Sequence, residues 1–239
     1  MKLDVLAIGA HPDDVELTCG GTLIKLVRAG NIVGILDLTR GELGTRGTKE
    51  IRAREAARAA KVMGVTVREN LGLPDGNIEA RVENRLKLVR VIRRFKPDIL
   101  LFPYGQDRHP DHERSHVLCR EAWFAAGLEK VVTRVRGRRQ EPHRPRAYYH
   151  YMQWHEFTPS FIVDVSAEYE QRVEAMKSYR SQFHDPENTE RETVLSTPHF
   201  MEMVRTRLLY YGDRIGVRYG EPFYSPTAIR VESIVSLNA

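Results

Sequence analysis

The sequence predicts a single α/β domain, a doubly wound Rossmann-like sandwich built on a mostly parallel sheet. Three observations carry that expectation. Apolar, strand-like runs alternate with helix-like segments through the first 130 residues. The helix-like segments stop at Gly30, at Gly64 and just before Pro97. The two densest groups of chemically reactive side chains each follow a strand-like run, where open α/β sheets place their ligands.

Residues 3–8 form the first apolar run, and residues 15–29 follow with helical spacing. Residues 32–38 are the second strand. Residues 49–63 are rich in Ala, Arg and Glu, strong helix formers. Residues 65–71 read as strand three. Residues 82–94 read as a helix, with Leu86, Val89 and Ile92 at helical spacing. Residues 98–102 are strand four, and 112–126 the next helix. The part from 131 to 239 is less regular. Residues 148–152 and 161–163 look like strands there, and 167–179 and 201–212 like helices. The whole chain, 1–239, is one domain, with residues 1–130 as the core that carries the reactive groups.

At 239 residues the chain is long enough for a full core, and 41% hydrophobic with 29% charged residues is ordinary for a globular protein. No run of about 18 apolar residues is present, so no membrane span is expected. Only two cysteines occur, Cys19 and Cys119. Without a leader-like N-terminus, they point to a reducing cytoplasm and to buried structural thiols. The net charge is +5, but Arg and Lys are spread among Glu. The one dense run, from Arg134 through Arg136, Arg138, Arg139 and Arg144 to Arg146, reads as a solvated loop. A nucleic-acid partner is not expected.

The chemistry concentrates in Ala10-His11-Pro12-Asp13-Asp14-Val15-Glu16 and in His109-Pro110-Asp111-His112-Glu113. With the usual strand order, strands one and four are neighbours, so the clusters face each other across one crevice. Imidazole with carboxylate suits zinc or a similar first-row metal. His11 at the strand end and Asp14 in the first helical turn can share one ion, and His112 can complete three ligands. Asp13 is then a free carboxylate beside the metal, a natural general base. Taken singly, Asp13-Asp14 would read as a helix cap. His112-Glu113-Arg114-Ser115-His116 also matches the H-E-x-x-H pattern. That reading leaves the His11 cluster unexplained, so His116 is expected to be packed or exposed instead. His143, His150, His155, His184 and His199 lack ligand spacing.

These motifs resemble the LmbE-like, or PIG-L, family of N-deacetylases. The resemblance extends to Gly20-Gly21-Thr22, to residues 38–47, to Arg52-Ala53-Arg54-Glu55-Ala56, to residues 71–76 and to Tyr219-Gly220-Glu221-Pro222-Phe223. It implies a hydrolase that removes an acetyl group from a glucosamine conjugate. The likeness is greatest to the branch acting on N-acetylglucosaminyl malate in bacillithiol biosynthesis. A thiol conjugate, a chitooligosaccharide or an antibiotic precursor is the alternative substrate. By resemblance, His11, Asp14 and His112 are ligands of Zn²⁺, with Fe²⁺ or another divalent ion able to replace it. Asp13 is the base, His109 stabilises the oxyanion, and Asp111 orients His109. Arg54 and Asp75 fall where the family contacts the sugar or acetyl end; Arg54 reads equally as a helix ion pair and Asp75 as a turn former. A malyl conjugate would need cations beyond the sugar, for which Arg46 and Arg108 are the candidates. A homo-oligomer, a hexamer by analogy, is also implied. No membrane partner is.

Overall fold

The computed structural model describes residues 1–233; the last six residues of the expected C-terminal part lie outside them. Four strands, β1 (Val5–Gly9), β2 (Val33–Thr39), β3 (Val67–Leu73) and β4 (Ile99–Pro103), alternate with four helices. These are α1 (Asp14–Arg28), α2 (Lys49–Met63), α3 (Val82–Phe95) and α4 (Pro110–Ala126). A two-residue hairpin, β5 (Arg134–Val135) with β6 (Arg138–Arg139), is followed by β7 (Ala147–Tyr151) and β8 (Phe161–Asp164). Helices α5 (Tyr169–Lys177) and α6 (Phe200–Asp213) and strand β9 (Gly220–Tyr224) complete the fold. The main sheet has the order β3-β2-β1-β4-β7-β9-β8, parallel as far as β7 and antiparallel through β9 and β8. This is one α/β domain with helices on both sides of a mostly parallel sheet, as the alternation predicts.

Every residue of β1 and β2 is buried, as a central parallel strand covered on both faces requires. Their side chains divide by period two. Leu6, Ile8, Leu36 and Leu38 join α3 and α4 in one core, with Leu88, Ile92, Leu118 and Cys119. Val5, Ala7, Val33 and Ile35 join α1, α2 and α5 in the other, with Val15, Leu23, Ala59 and Met176. Cys19 and Cys119 are both free and buried, as expected. The arginine run folds into the β5–β6 hairpin, with most of its side chains exposed. No helix of the described residues is long and apolar enough to cross a membrane.

Strand β9 is not expected from the sequence, because Pro222 cannot donate to a ladder. Pairing with β7 ends at Phe223, so Pro222 has no β7 neighbour to bond. Beside it, the buried Glu221 accepts from Gly21 N at 2.9 Å, Thr22 N at 2.7 Å and Thr22 Oγ1 at 2.6 Å, and meets Arg172 Nε at 3.1 Å. It thereby caps the second half of α1 where that helix kinks at Cys19. Gly21 makes the approach possible: a Cβ there would lie 2.9 Å from Glu221 Oε1 and 2.8 Å from Val165 Cβ. Glu221→Ala leaves the Arg172 guanidinium buried and unpaired, so urea unfolding should show a loss of about 3–5 kcal/mol. A loss below about 1 kcal/mol would mean that solvent already reaches this pair.

Candidate active site

Strands β1 and β4 are neighbours with Val5 opposite Ile99, so the turns that follow them open side by side. Each turn presents its cluster by a different local device. After β1 the chain enters α1 through Asp13, whose φ of 112° lies in the left-handed region. For a non-glycine residue that conformation is strained, and it persists only where its surroundings hold it. Arg52 of α2 does so. Its Nη2 lies 3.1 Å from Asp13 Oδ2 and also donates to the Pro12 carbonyl oxygen. After β4, Pro110 opens α4 and His109 caps it, its Nδ1 accepting from Asp111 N at 3.2 Å. Proline at the first helical position costs no hydrogen bond.

The structure brings the expected residues together. The Asp14 carboxylate stands between two imidazoles, 3.6 Å from His11 Nδ1 and 3.4 Å from His112 Nε2. His11 Nε2 is 3.0 Å from Asp75 Oδ1 and 3.4 Å from Asp111 Oδ2. The ligand atoms of His11, His109 and His112 lie within 4.8 Å of one another, as do those of His11, Asp75 and Asp111. Asp75 also anchors the loop after β2 by accepting from Leu43 N at 2.8 Å.

Four residues stand differently from their expected roles. The Asp111 carboxylate does not reach His109; it accepts from Gly76 N at 2.7 Å and Ile78 N at 3.2 Å. Asp111 holds His109 through its backbone N–H, one of the unpaired donors of a first helical turn. Arg54 is exposed. At 100° per residue it leaves α2 about 200° away from Arg52, and Arg52 is the inward one. Arg46 is buried and turns toward Glu190, 3.9 Å away. Arg108 stays at the crevice but lies over the Trp154 ring, 4.1 Å from its centroid. His116 sits apart from the cluster, with Nδ1 on the Pro103 carbonyl oxygen and its ring against Phe102 and His150.

Sequence reasoning misses two residues here. Arg52 is one. Asp107 is the other: its Oδ1 lies 2.8 Å from His112 Nδ1 and accepts from His109 N at 3.0 Å, while Oδ2 accepts from Trp154 N at 2.7 Å. A carboxylate on the far nitrogen of an imidazole is the usual support of a metal-ligating histidine, and it leaves Nε2 facing the site. A carboxylate two residues before His109 is the one signal the sequence offers.

The electrostatics follow from burial and from the neighbouring charges. Burial alone would lower the His11 imidazole, but Asp111, Asp14 and Asp75 raise it well above its ordinary range. His112 is raised to about 9, with Asp14 and Asp107 outweighing burial. Burial, with Asp14 and Glu16, pushes the Asp13 carboxyl up to about 7 against Arg52 and His11. Burial and the neighbouring His11 and His112 lower His109. Its Nδ1 accepts a hydrogen bond, so the neutral ring carries its proton at Nε2. A buried cluster whose carboxylates demand this much positive charge, in a mixed imidazole–carboxylate donor set, fits a divalent metal ion.

The family description GlcNAc-PI de-N-acetylase, PIG-L, matches residues 6–123, which span both clusters. Diacetylchitobiose deacetylase from Thermococcus kodakarensis is 34% identical over 227 residues, 91% of this chain and 80% of the relative. The chain belongs to the PIG-L family. Two crystal structures are similar to this PIG-L fold throughout. The conserved protein TT1542 from Thermus thermophilus has a TM-score of 0.86 at 40% identity, covering 96% of this chain and 98% of that one. N,N'-diacetylchitobiose deacetylase from Pyrococcus horikoshii, complexed with its inhibitor MPG, has a TM-score of 0.76 at 28% identity, covering 92% and 82%. The description of the matched family and the names of both deacetylase relatives refer to N-acetylated glucosamine substrates.

Proposed function

We propose that the chain hydrolyses the acetamide of an N-acetylglucosamine unit with the help of a divalent metal. The observation that carries this is Asp13: a buried carboxylate, in a strained backbone, held by Arg52 next to the donor cluster but outside it. His11, Asp14 and His112 would hold the metal, Zn²⁺ first and Fe²⁺ as an alternative. An ion held there would supply Lewis acidity for the acetamide carbonyl and for the attacking water. Asp13 accepts the proton of the attacking water. His109 donates from Nε2–H to the developing oxyanion. The proton held by Asp13 then passes to the departing amine, so that acetate and a free amine leave. Asp75, beside His11 Nε2, is the group offered to the sugar hydroxyls.

Two conjugates compete. The malyl reading needs free guanidinium groups at Arg46 and Arg108, but Arg46 faces Glu190 and Arg108 covers Trp154. The Thermococcus relative acts on diacetylchitobiose, which favours a short chitooligosaccharide. Side-by-side assays of diacetylchitobiose, N-acetylglucosaminyl malate and N-acetylglucosamine decide between them. The chitooligosaccharide should lead in kcat/KM by at least about tenfold, roughly 1.4 kcal/mol. A lead of that size for the malyl conjugate would restore the bacillithiol assignment.

The metal is checked in the same assay. Chelation should abolish release of acetate, and added Zn²⁺ should restore it. Full turnover by protein shown to be metal-free would end this mechanism. We also propose a homo-oligomer in the cytoplasm. Val82 of α3, Phe124 of α4 and Val132, which follows α4, are about half exposed and line one groove, and burying them against a second copy would remove that apolar patch from water. Light scattering at micromolar concentration tests it, and a monomer would refute it.

A further inference from the structure

Beside the donor cluster a cavity of about 190 Å³ opens past Asp14, His109 and His112. Much of its lining is apolar: Leu17 of α1, Trp154, Leu195, and Phe200, Met203 and Val204 of α6. Several of the polar groups that border it are bonded elsewhere, and Gln153 Oε1 is the buried oxygen left without a partner. Thr18 Oγ1 donates to the Asp14 carbonyl oxygen at 2.6 Å. Arg207 donates to the carbonyl oxygens of Gln153 and Trp154. The Arg108 guanidinium lies over the Trp154 ring, 4.1 Å from its centroid. A sugar ring carries hydroxyls that need partners when buried, and this wall supplies few. Asp75, the carboxylate assigned above to the sugar, does not line this cavity.

The wholly apolar part of an N-acylated amino sugar is the acyl chain. We infer that this cavity is an acyl pocket, and that the enzyme is an N-deacylase accepting chains longer than acetyl. The inference rests on the deacetylase reading above and extends its substrate class. At about 30 Å³ for each water in the liquid, the cavity matches roughly six waters, room for a chain of about four to six carbons. The bond broken is the same amide, water is the only co-reactant, and the products are the longer carboxylate and the free amine.

The test is a series of N-acetyl-, N-butanoyl- and N-hexanoylglucosamine offered to the metal-loaded protein. Each methylene buried in the pocket should raise kcat/KM about fourfold, until the chain outgrows it. Met203 is 44% exposed, so Met203→Gln should fold, and Val204→Thr is nearly isosteric. Both variants should flatten the rise with chain length. Hydrolysis of the acetyl substrate with equal or poorer use of every longer chain overturns the acyl pocket and leaves the deacetylase reading standing. If no acyl sugar is hydrolysed, the deacetylase reading itself fails. The pocket is then decided by calorimetric titration of acetate against hexanoate. Tighter hexanoate binding that weakens in Met203→Gln supports it, and equal affinities overturn it.

Discussion

An Asp13→Ala variant is expected to keep its metal and to lose turnover by about 10²–10⁴-fold, the usual worth of a positioned general base. The structure separates the two effects. Asp13 turns toward Arg52, while His11, Asp14 and His112 face one another. Deleting the Asp13 carboxylate therefore removes the proton acceptor and no donor atom of the cluster. His112→Ala deletes Nε2, the nitrogen that Asp107 aims at the site, and should lose the metal as well as the activity. His109→Ala should retain metal and lose rate, because its contribution is the Nε2–H offered to the oxyanion. Metal content by elemental analysis, measured beside kcat, checks all three. An equal fall in metal across the three variants would show that this division of roles is wrong.

Such a division can be drawn from the sequence because each cluster is local. His11 and Asp14 are three residues apart at a strand-to-helix turn, and His109 and His112 are three apart at another. The adjacency of β1 and β4 follows from ordinary α/β topology, so the facing of the two clusters is legible before any coordinates. The boundaries of β1, β2, α2 and α3 fall within about two residues of the expected ones, because their apolar period and their glycine or proline stops agree.

What the sequence does not disclose depends on contacts between distant segments. Glu221 caps a helix 200 residues earlier, and nothing in the sequence near either residue signals it. Strand β9 carries a proline that argues against a strand, and it is tolerated because pairing with β7 ends at Phe223. The apolar wall of the acyl pocket comes from α1 and α6 together. Helix α6 is expected as a helix, but which of its faces meets the crevice is a property of packing. Asp107 escapes notice because a lone aspartate before a His-Pro pair is common in turns.

Arg52 shows the same limit at the site itself, and it carries the second large effect. Arg52→Met should lower kcat by about 10²-fold, as removal of one preorganised donor beside reacting atoms commonly does. The methionine keeps much of the volume and removes the charge. The guanidinium joins three parts of the site: the Asp13 carboxylate, the Pro12 carbonyl oxygen and, at 3.5 Å, the Gly41 carbonyl oxygen. Gly41 is shaped to it, with φ of 65° and space in which a Cβ would lie 2.2 Å from Arg52 Nη1. Without the charge, Asp13 is a buried carboxylate lacking its cation, and its left-handed backbone loses the contact that holds it. Arg52→Lys offers a point charge without the planar fork, so it should recover part of kcat but not all. A purely structural role would instead lower stability and spare kcat in the fraction that folds. Arg54→Ala is the control. The side chain is exposed on the other face of α2, so stability should change by at most about 0.5 kcal/mol, and kcat should stay near that of the parent. Measuring kcat, KM and urea unfolding for all three variants tests the assignment. A fall in kcat/KM for Arg54→Ala as large as that for Arg52→Met would return Arg54 to the substrate site and leave Arg52 as one buried ion pair among several.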